Sequence, residues 1–264
     1  MNKIIDLQLW QLLAAYLFIL ILLVILKLRK IPREKETLIA SIRMTLQLVI
    51  VGYLLMYIFK HPNPFVTVLI VLLMEGFAIY NIYKRVKNDI SRALKKVIAL
   101  SMIVGTFISL LFFDFVVIHF SPWYDPRYFI PIAGMIIGNS MTGITLGVNT
   151  LIESMKVQKD SVESALMLGA TPKEATKQIV NHAFDSAILP QINSMVGTGI
   201  VFLPGMMTGQ ILSGISPVVA IEYQIIILLG IAGAVSLTVM IFTQLGYKTF
   251  FNKRCQLVDG QEIV

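Results

Sequence analysis

The sequence is poor in charge and almost without cysteine. Only 14% of its 264 residues are charged and 56% are hydrophobic, whereas about a quarter of an average soluble chain is charged. This composition excludes a soluble globular protein, and several apolar stretches reach the roughly 20 residues that a helix needs to cross a bilayer. The single cysteine, Cys255, excludes an intramolecular disulfide and a cysteine cluster for zinc or iron–sulfur binding. We therefore predict an all-α polytopic membrane protein.

The sequence also lacks the short motifs of several enzyme classes. It contains no G-x-x-x-x-G-K-[ST] loop for ATP phosphates, no H-E-x-x-H, no G-x-S-x-G and no C-x-x-C. Its three histidines, His61, His119 and His182, lie far apart in the chain. An intramembrane enzyme is thus unsupported, and no cofactor is expected on this chain. The energy for any transport must come from another chain or from an ion gradient.

Seven apolar segments are predicted to span the membrane as a helical bundle. The first is too long for the core of a signal peptide and is followed, not preceded, by basic residues, so we expect it to remain in the mature protein. The segments cover Leu7–Leu26, Leu38–Phe59, Phe65–Tyr83, Val97–Phe120, Tyr128–Ile152, Ala187–Leu212 and Pro217–Gly246.

Basic residues predict the orientation of these segments, because Lys and Arg collect in cytoplasmic loops. They are concentrated in residues 27–37, in residues 84–96, between the fifth and sixth segments, and after the seventh. Only Lys3, Lys60 and Arg127 fall in loops on the opposite side. We therefore expect the N-terminus outside and the C-terminus in the cytoplasm. The net charge of +7 then reflects orientation and not a nucleic-acid partner.

One cytoplasmic loop, residues 153–187, is long enough to fold. Asp160 followed by Glu163 predicts a capped helix, which Gly169 is expected to end. Thr171-Pro172-Lys173-Glu174 is a stronger start signal, because Thr can cap, Pro is tolerated at the first helical position and Glu completes a capping box. The second helix has an apolar face formed by Ala175, Ile179, Val180, Ala183, Phe184 and Ala187.

This pair of helices has three interpretations: a DNA-binding helix-turn-helix, a clip between membrane helices, or a docking element for a second protein. DNA binding has the least support, because both ends are tethered to membrane helices and the segment is nearly neutral. Composition alone favours the clip, since connecting helices are common.

The fifth and sixth segments carry unusual patterns of glycine and proline. In the fifth, Gly134 and Gly138 point to one side and Gly143 and Gly147 to the opposite side, which predicts tight packing on both. The sixth holds too many helix breakers for a straight helix, and it either lines a pathway or forms a buried kink. These residues are Pro190, Gly197, Gly199, Pro204, Gly205 and Gly209.

Four charged residues, Arg43, Glu75, Asp114 and Glu222, lie inside the predicted spans. Arg43 and Glu222 are close to span ends, where their side chains can reach an interface. Glu75 lies near the middle of its span, where a charged carboxylate costs about 3 kcal/mol. It is either a functional group, a protonated acid, or a structural partner of Arg43 or Asn81.

Longer segments of the sequence resemble a family of transporter subunits. E-S-A-L-M-L-G at residues 163–169 is similar to the E-A-A-x-x-x-G coupling motif of ABC transporter permeases. Other segments are R-M-T-L-Q-L-V-I-V-G-Y from Arg43, I-P-I-A-G-M-I-I-G-N-S-M from Ile130, L-G-A-T-P-K-E-A from Leu168, L-P-G-M-M-T-G from Leu203 and Y-Q-I from Tyr223. With these segments, the chain resembles the FetB (YbbM) family of permeases, described as iron exporters, over about residues 38–258.

The resemblance implies a homodimeric permease, one transmembrane domain over residues 1–264, in the plasma or inner membrane. It also implies a separate cytoplasmic ATPase that binds ATP and drives export, with iron as the candidate substrate. For residues 153–187 it favours docking on that ATPase over a clip. The implied docking residues are Glu163, Ala165, Gly169, Ala170, Thr171 and Pro172.

For the substrate pathway we select Glu75, Asn139, Met206, Met207 and Gln224. Methionine thioethers can bind soft metals but more often serve as adaptable packing, so no metal site is assigned. Two other functions stay open. An ion-coupled secondary transporter or channel would use Glu75 and Asp114 as proton-linked carboxylates. A non-transporting membrane scaffold would only recruit a partner through the loop.

Overall fold

The computed structural model describes residues 8–86, 90–119 and 121–258. Within these ranges the secondary structure is helical, without a β-strand, which confirms the all-α prediction. Four residues on which the predicted spans and loops rest lie outside the described residues: Lys3, Leu7, Lys87 and Phe120.

Six helices of the described residues are long and apolar enough to cross a membrane, which confirms a polytopic membrane protein. Each coincides with one of the predicted spans. They are α1 (Leu9–Leu28), α2 (Glu34–Lys60), α3 (Pro64–Arg85), α4 (Arg92–Phe112, continued by a π-helical turn at Phe113–Ile118), α5 (Pro126–Val157) and α10 (Pro217–Gly246, continued by a 3-10 turn at Tyr247–Phe250).

Four shorter or less apolar helices lie between α5 and α10. They are α6 (Lys159–Met167), α7 (Pro172–Ala175), α8 (Lys177–Gly197) and α9 (Gly205–Leu212).

The predicted sixth span is where the structure differs from the expected count of seven. It is divided between α8 and α9 by residues 198–204, so the described residues contain six continuous spanning helices. Gly199 adopts a left-handed φ of +88°, and Pro204 precedes the first residue of α9. A left-handed residue interrupts helical geometry, and proline has no N–H to donate to a preceding turn. The predicted break in this segment is confirmed at residues 198–204, but Pro190 was wrongly expected to break the helix, because it lies inside α8.

The described chain forms two compact units. The first comprises the chain through Pro62 together with Leu212–Gly214. Within it, α1 and α2 form a hairpin in which the hydroxyl groups of Tyr16 and Thr45 are hydrogen bonded. Many apolar side chains of both helices are exposed, as expected for helices whose surroundings are lipid tails. The single permease domain stays a prediction.

The second unit is a bundle in which α5 packs against α3, α4, α8 and α10. Its core side chains include Met102, Ile144, Leu151 and Phe242, all fully buried. Small residues allow close approach between helices, because a Cβ on Gly105 of α4 would lie 2.7 Å from the Thr238 Cα of α10.

The glycine pairs of α5 were expected to pack on two opposite sides, and one position contradicts this. A Cβ on Gly143 would lie 2.7 Å from Val235 Cγ1, and one on Gly147 would lie 3.5 Å from Ala187 Cβ. A Cβ on Gly134 would lie 3.0 Å from the Met74 side chain, but Gly138 has no atom within 4 Å. Helical periodicity gives the direction in which a residue points, not whether a neighbour lies there.

Candidate functional site

The predicted docking loop begins later in the chain than expected, because helix α5 is longer than predicted. Helix α5 continues through Val157, and only Gln158 separates it from α6. The prediction that Asp160 caps α6 is wrong, because Gln158 occupies the N-cap position and Asp160 lies in the first turn. Because α5 extends to Val157, α6 begins before Asp160, and Asp160 itself is helical and cannot serve as the N-cap. Glu163 forms an ion pair with Lys159 instead, with a distance of 4.0 Å between Nζ and Oε1.

The end of α6 agrees with the sequence prediction. Gly169 has a φ of +92°, and the space around it is open, so the backbone conformation and not crowding requires glycine here. The Ala170 N–H donates to the Ala165 carbonyl at 3.0 Å, which satisfies one of the last carbonyls of the helix. The chain therefore turns sharply between α6 and α7.

The predicted capping box of Thr171 and Glu174 is confirmed. The Glu174 N–H donates to Thr171 Oγ1 at 3.3 Å, and the Thr171 N–H donates to Glu174 Oε2 at 2.8 Å. The Thr171 hydroxyl also donates to the same carboxylate oxygen at 2.7 Å. Side-chain and backbone hydrogen bonds from Thr171 hold the pKa of Glu174 below its ordinary value. The ionised carboxylate is thus part of the turn.

The second predicted helix is interrupted and then extended. Helix α7 has only four residues, and Thr176 separates it from α8. The predicted apolar face is buried at Ile179, Val180, Ala183 and Ala187. Helix α8 then continues to Gly197, so the predicted docking loop and the interrupted segment share one helix.

Helix α8 is held against α5 at several levels. A Cβ on Gly143 would lie 3.4 Å from the Ala187 carbonyl oxygen, and one on Gly147 would lie 3.6 Å from the Ala183 carbonyl oxygen. Further along α5, Ser154 Oγ is hydrogen bonded to His182 Nδ1 at 3.4 Å. The small residues of α5 thus allow the backbone of α8 to pack closely against it.

Two residues that the sequence analysis did not select stand at the tip of the loop. Met167 and Leu168 are 86% and 90% exposed, although both side chains are large and apolar. A signal for them was present: two adjacent apolar residues immediately before the glycine that ends the helix. The structure places the predicted docking residues around this tip, with Gly169 and Thr171 exposed and Glu163, Ala165, Ala170 and Pro172 half-buried.

The five predicted pathway residues are distributed over four helices, α3, α5, α9 and α10. Within the described residues, no hydrogen bond joins any two of them. Asn139 Oδ1 accepts from Gln191 Nε2 of α8 at 3.1 Å. Gln224 is buried, and the described residues offer no hydrogen-bond partner to its Oε1. Met207 is buried, whereas Met206 is half-buried against the main core.

Glu75 is buried in the second unit, and its carboxyl group is bonded to Thr106. The distance from Thr106 Oγ1 to Glu75 Oε2 is 3.2 Å. The alternative pairing with Asn81 is wrong, because the other carboxyl oxygen of Glu75 has no partner among the described residues and Asn81 Nδ2 donates to the Phe77 carbonyl of its own helix at 2.7 Å. Asn81 is six positions after Glu75 in the helix, which places the two residues on different faces.

Metal ligands are not clustered in the part of the chain that the structure describes. Within it, no three residues among His, Cys, Asp and Glu form a group that could hold a metal ion.

Comparison with known proteins identifies the family of the chain. The model of an uncharacterised protein family, UPF0014, matches residues 9–251. The chain is 37% identical over 249 residues to the UPF0014 membrane protein YjkA of Bacillus subtilis strain 168, covering 93% of this chain and 96% of that protein. It is 35% identical over 247 residues to the probable iron export permease protein FetB of Escherichia coli K12, covering 94% and 93%.

A plant protein is similar over nearly the same length. Protein ALUMINUM SENSITIVE 3 of Arabidopsis thaliana is 37% identical over 245 residues, which cover 92% of this chain and 88% of that protein. No solved structure is significantly similar to the chain. The resemblance to FetB-like permeases is confirmed, and the chain belongs to the UPF0014 family of multi-pass membrane proteins.

Proposed function

We propose that this membrane permease is the transmembrane subunit of an ABC transporter, driven by ATP hydrolysis on a separate cytoplasmic ATPase. The observation that carries the proposal is the apolar tip of the loop, formed by Met167 and Leu168. Apolar side chains of this size are costly to expose to water when they are adjacent, and a groove on a second protein would bury them.

The structure around the tip suits a docking element. Gly169 permits the turn between α6 and α7, the hydrogen bond from the Ala170 N–H to the Ala165 carbonyl holds it, and the capping box of Thr171 and Glu174 fixes the start of α7. A rigid tip loses little conformational freedom on binding, so more of the contact energy is available for association. The implied docking residues Glu163, Ala165, Ala170 and Pro172 surround it.

The connections of the loop suit the transmission of movement. One residue, Gln158, joins α6 to α5, and α8 runs from the loop to the interrupted segment. A push on the tip would therefore act on two helices that already pack against each other. In this proposal two copies of the chain and two ATPases form the transporter, with lipid around the bundle.

For the cargo we propose a metal cation moved outward. The Escherichia coli relative is named a probable iron export permease, and that name is the reason to test iron first. Glu75, Asn139, Met206, Met207 and Gln224 are the proposed pathway residues. They supply oxygen and thioether groups inside the bundle, and both kinds of group bind transition metals.

The test is ATP-dependent movement of Fe²⁺ in vesicles that contain the chain and a cytoplasmic ABC ATPase expressed with it. Met167→Asp combined with Leu168→Asp is expected to abolish both ATPase binding and ATP-dependent Fe²⁺ movement. The matched control is Val157→Asp, because Val157 is apolar and exposed but lies before α6. Unchanged binding and transport in the double variant would contradict the proposal.

A second candidate, an ion-coupled transporter, is favoured by one observation. Asp114 is buried in the π-helical turn after α4, and its Oδ1 has no hydrogen-bond partner among the described residues. Buried carboxyl groups of this kind serve as proton relays in ion-coupled transporters. That function predicts Fe²⁺ movement driven by a pH gradient without ATPase, whereas a scaffold predicts ATPase binding without movement.

A further inference from the structure

The Thr106 hydroxyl group faces two oxygen atoms but has only one hydrogen. Thr106 Oγ1 lies 2.7 Å from the Met102 carbonyl oxygen of its own helix and 3.2 Å from Glu75 Oε2 of α3. Thr106, Met102 and Glu75 are all buried. A hydroxyl has one hydrogen and can accept twice, so it can point that hydrogen fully at only one of these two oxygens.

The shorter of the two distances favours a hydrogen bond from Thr106 Oγ1 to the Met102 carbonyl. Two oxygens at 2.7 Å without a hydrogen between them repel each other, whereas 2.7 Å is an ordinary distance for an O–H···O bond. Two further hydroxyls of α4 make the same bond to the carbonyl four residues earlier: Ser101 to Val97 at 2.8 Å and Ser109 to Gly105 at 2.7 Å. We therefore assign the Thr106 hydroxyl as the donor to the Met102 carbonyl.

The contact with Glu75 then needs a hydrogen from the carboxyl group. With its own hydrogen committed, Thr106 Oγ1 presents only lone pairs to Glu75 Oε2. An ionised carboxylate is acceptor-only, but a protonated carboxyl has one O–H to donate. We infer that Glu75 is a proton-binding site in the transmembrane bundle, where it is held as a neutral acid that donates to Thr106, which in turn donates to the Met102 carbonyl.

The charged groups on the helices around Glu75 leave this assignment intact. In its own unit, α3 packs against α4 and α5. The acidic and basic residues of these three helices, Glu75 apart, stand near the helix ends: Lys84, Arg85, Arg92, Lys95, Lys96, Arg127, Glu153 and Lys156. Asp114, in the turn after α4, is eight residues beyond Thr106, or about 12 Å along a helix. A neutral Glu75 needs no counter-ion from any of them.

The inference is independent of the ATPase proposal and changes what Glu75 can offer a cargo. Oε1 has no partner among the described residues. In a neutral acid it is a carbonyl-type oxygen, so Glu75 would present a dipole and not a negative charge to a passing cation.

Infrared spectroscopy of the full chain in lipid at neutral pH tests the proton directly, because the carbonyl stretch of a protonated carboxyl is separate from the carboxylate bands. Glu75→Gln is expected to remove one protonated-carboxyl band. Glu222→Gln is the matched control for the loss of an acidic side chain from a membrane helix, because Glu222 is exposed. Asp114→Asn identifies any band that belongs to Asp114. A Glu75→Gln spectrum that keeps every protonated-carboxyl band would overturn the inference.

A second variant keeps Glu75 and removes its acceptor, which covers the case that Glu75→Gln fails to fold. Thr106→Val is expected to shift the Glu75 band to higher wavenumber, because the acid loses its hydrogen bond. Thr106→Ser keeps the hydroxyl and should leave the band in place. An unshifted band in Thr106→Val, or no protonated-carboxyl band in the wild type, would overturn the assignment.

Discussion

Two turns of this chain look alike and differ in their surroundings. The turn between α6 and α7 has Gly169 at φ +92° next to the exposed Met167 and Leu168. The turn between α8 and α9 has Gly199 at φ +88°, and the neighbouring Ile200 and Val201 are 91% and 79% exposed.

The difference lies in the residues on the C-terminal side of each turn. After Gly169, the capping box of Thr171 and Glu174 provides polar groups for the backbone of α7. After Gly199, residues 200–206 are apolar apart from their backbone. Exposed apolar side chains are ordinary at membrane depth but not in water. In the predicted topology only the first turn lies in water, so the proposal places a partner protein only there. At the second turn, it is the exposed backbone that needs protein or water nearby.

The largest effect is expected from Gly169→Val. A β-branched residue at positive φ costs about 1–3 kcal/mol, so the turn would change shape and displace the tip. ATP-dependent Fe²⁺ movement should fall by about tenfold or more, a loss that corresponds to about 1.4 kcal/mol, while membrane insertion stays normal. Gly52→Val is the control, because Gly52 is helical with open space around it. Normal transport in Gly169→Val would contradict a docking role.

Gly199→Val introduces similar strain at the second turn and should separate Fe²⁺ movement from ATPase binding. Fe²⁺ movement is expected to fall, because the interrupted segment is a proposed part of the pathway, whereas copurification of the ATPase should be unchanged. Strain of about 1–3 kcal/mol should also lower the melting temperature of the purified chain. Loss of ATPase binding in this variant would remove the distinction between the turns.

Gly197→Ala tests crowding at the second turn without changing φ, and a smaller effect is expected. The new Cβ would lie 2.8 Å from Cε1 of Phe202. Because the Phe202 side chain is exposed, its ring can move aside, and the free energy of unfolding should change by less than about 1 kcal/mol. Thermal denaturation in detergent measures this, and a large loss of stability would show that the ring is fixed in place.

The smallest effect concerns the Glu174 carboxylate. Its folded pKa lies below the ordinary value of 4.5, so its contribution is present above that value and is lost as the pH falls through the lower folded pKa. Amide hydrogen exchange at Thr171 in the reconstituted protein should therefore accelerate at acid pH, after correction for the intrinsic rate. Glu174→Gln should remove this pH dependence, and an identical profile in both proteins would argue against the capping box.

Local signals predicted the loop well where each depends on a few neighbouring residues. Gly169, Thr171 and Glu174 form the expected turn because capping involves residues within three positions of one another. The Asp160 cap failed because it depends on where α5 ends, and Gln158 is the only residue between the helices. Nothing local to Asp160 contains that information.

The buried polar contacts could not be predicted in the same way. Glu75 is recognisable as an unusual residue in an apolar span, but its partner Thr106 lies 31 residues away on another helix. Asn139 and Gln191 are 52 residues apart. Such pairs depend on the rotation of packed helices, which periodicity alone does not fix. Gly138 illustrates the same limit, since periodicity predicted its direction but not the open space beside it.

The continuity of α8 has a mechanical consequence. Its 21 residues span about 30 Å even though Pro190 lies among them, and Ala187, which packs on the glycines of α5, stands at its midpoint. A tilt of about 10° around that point would move each end by about 2.5 Å, in opposite directions. The helix would thus rock about a pivot formed by residues with almost no side chain.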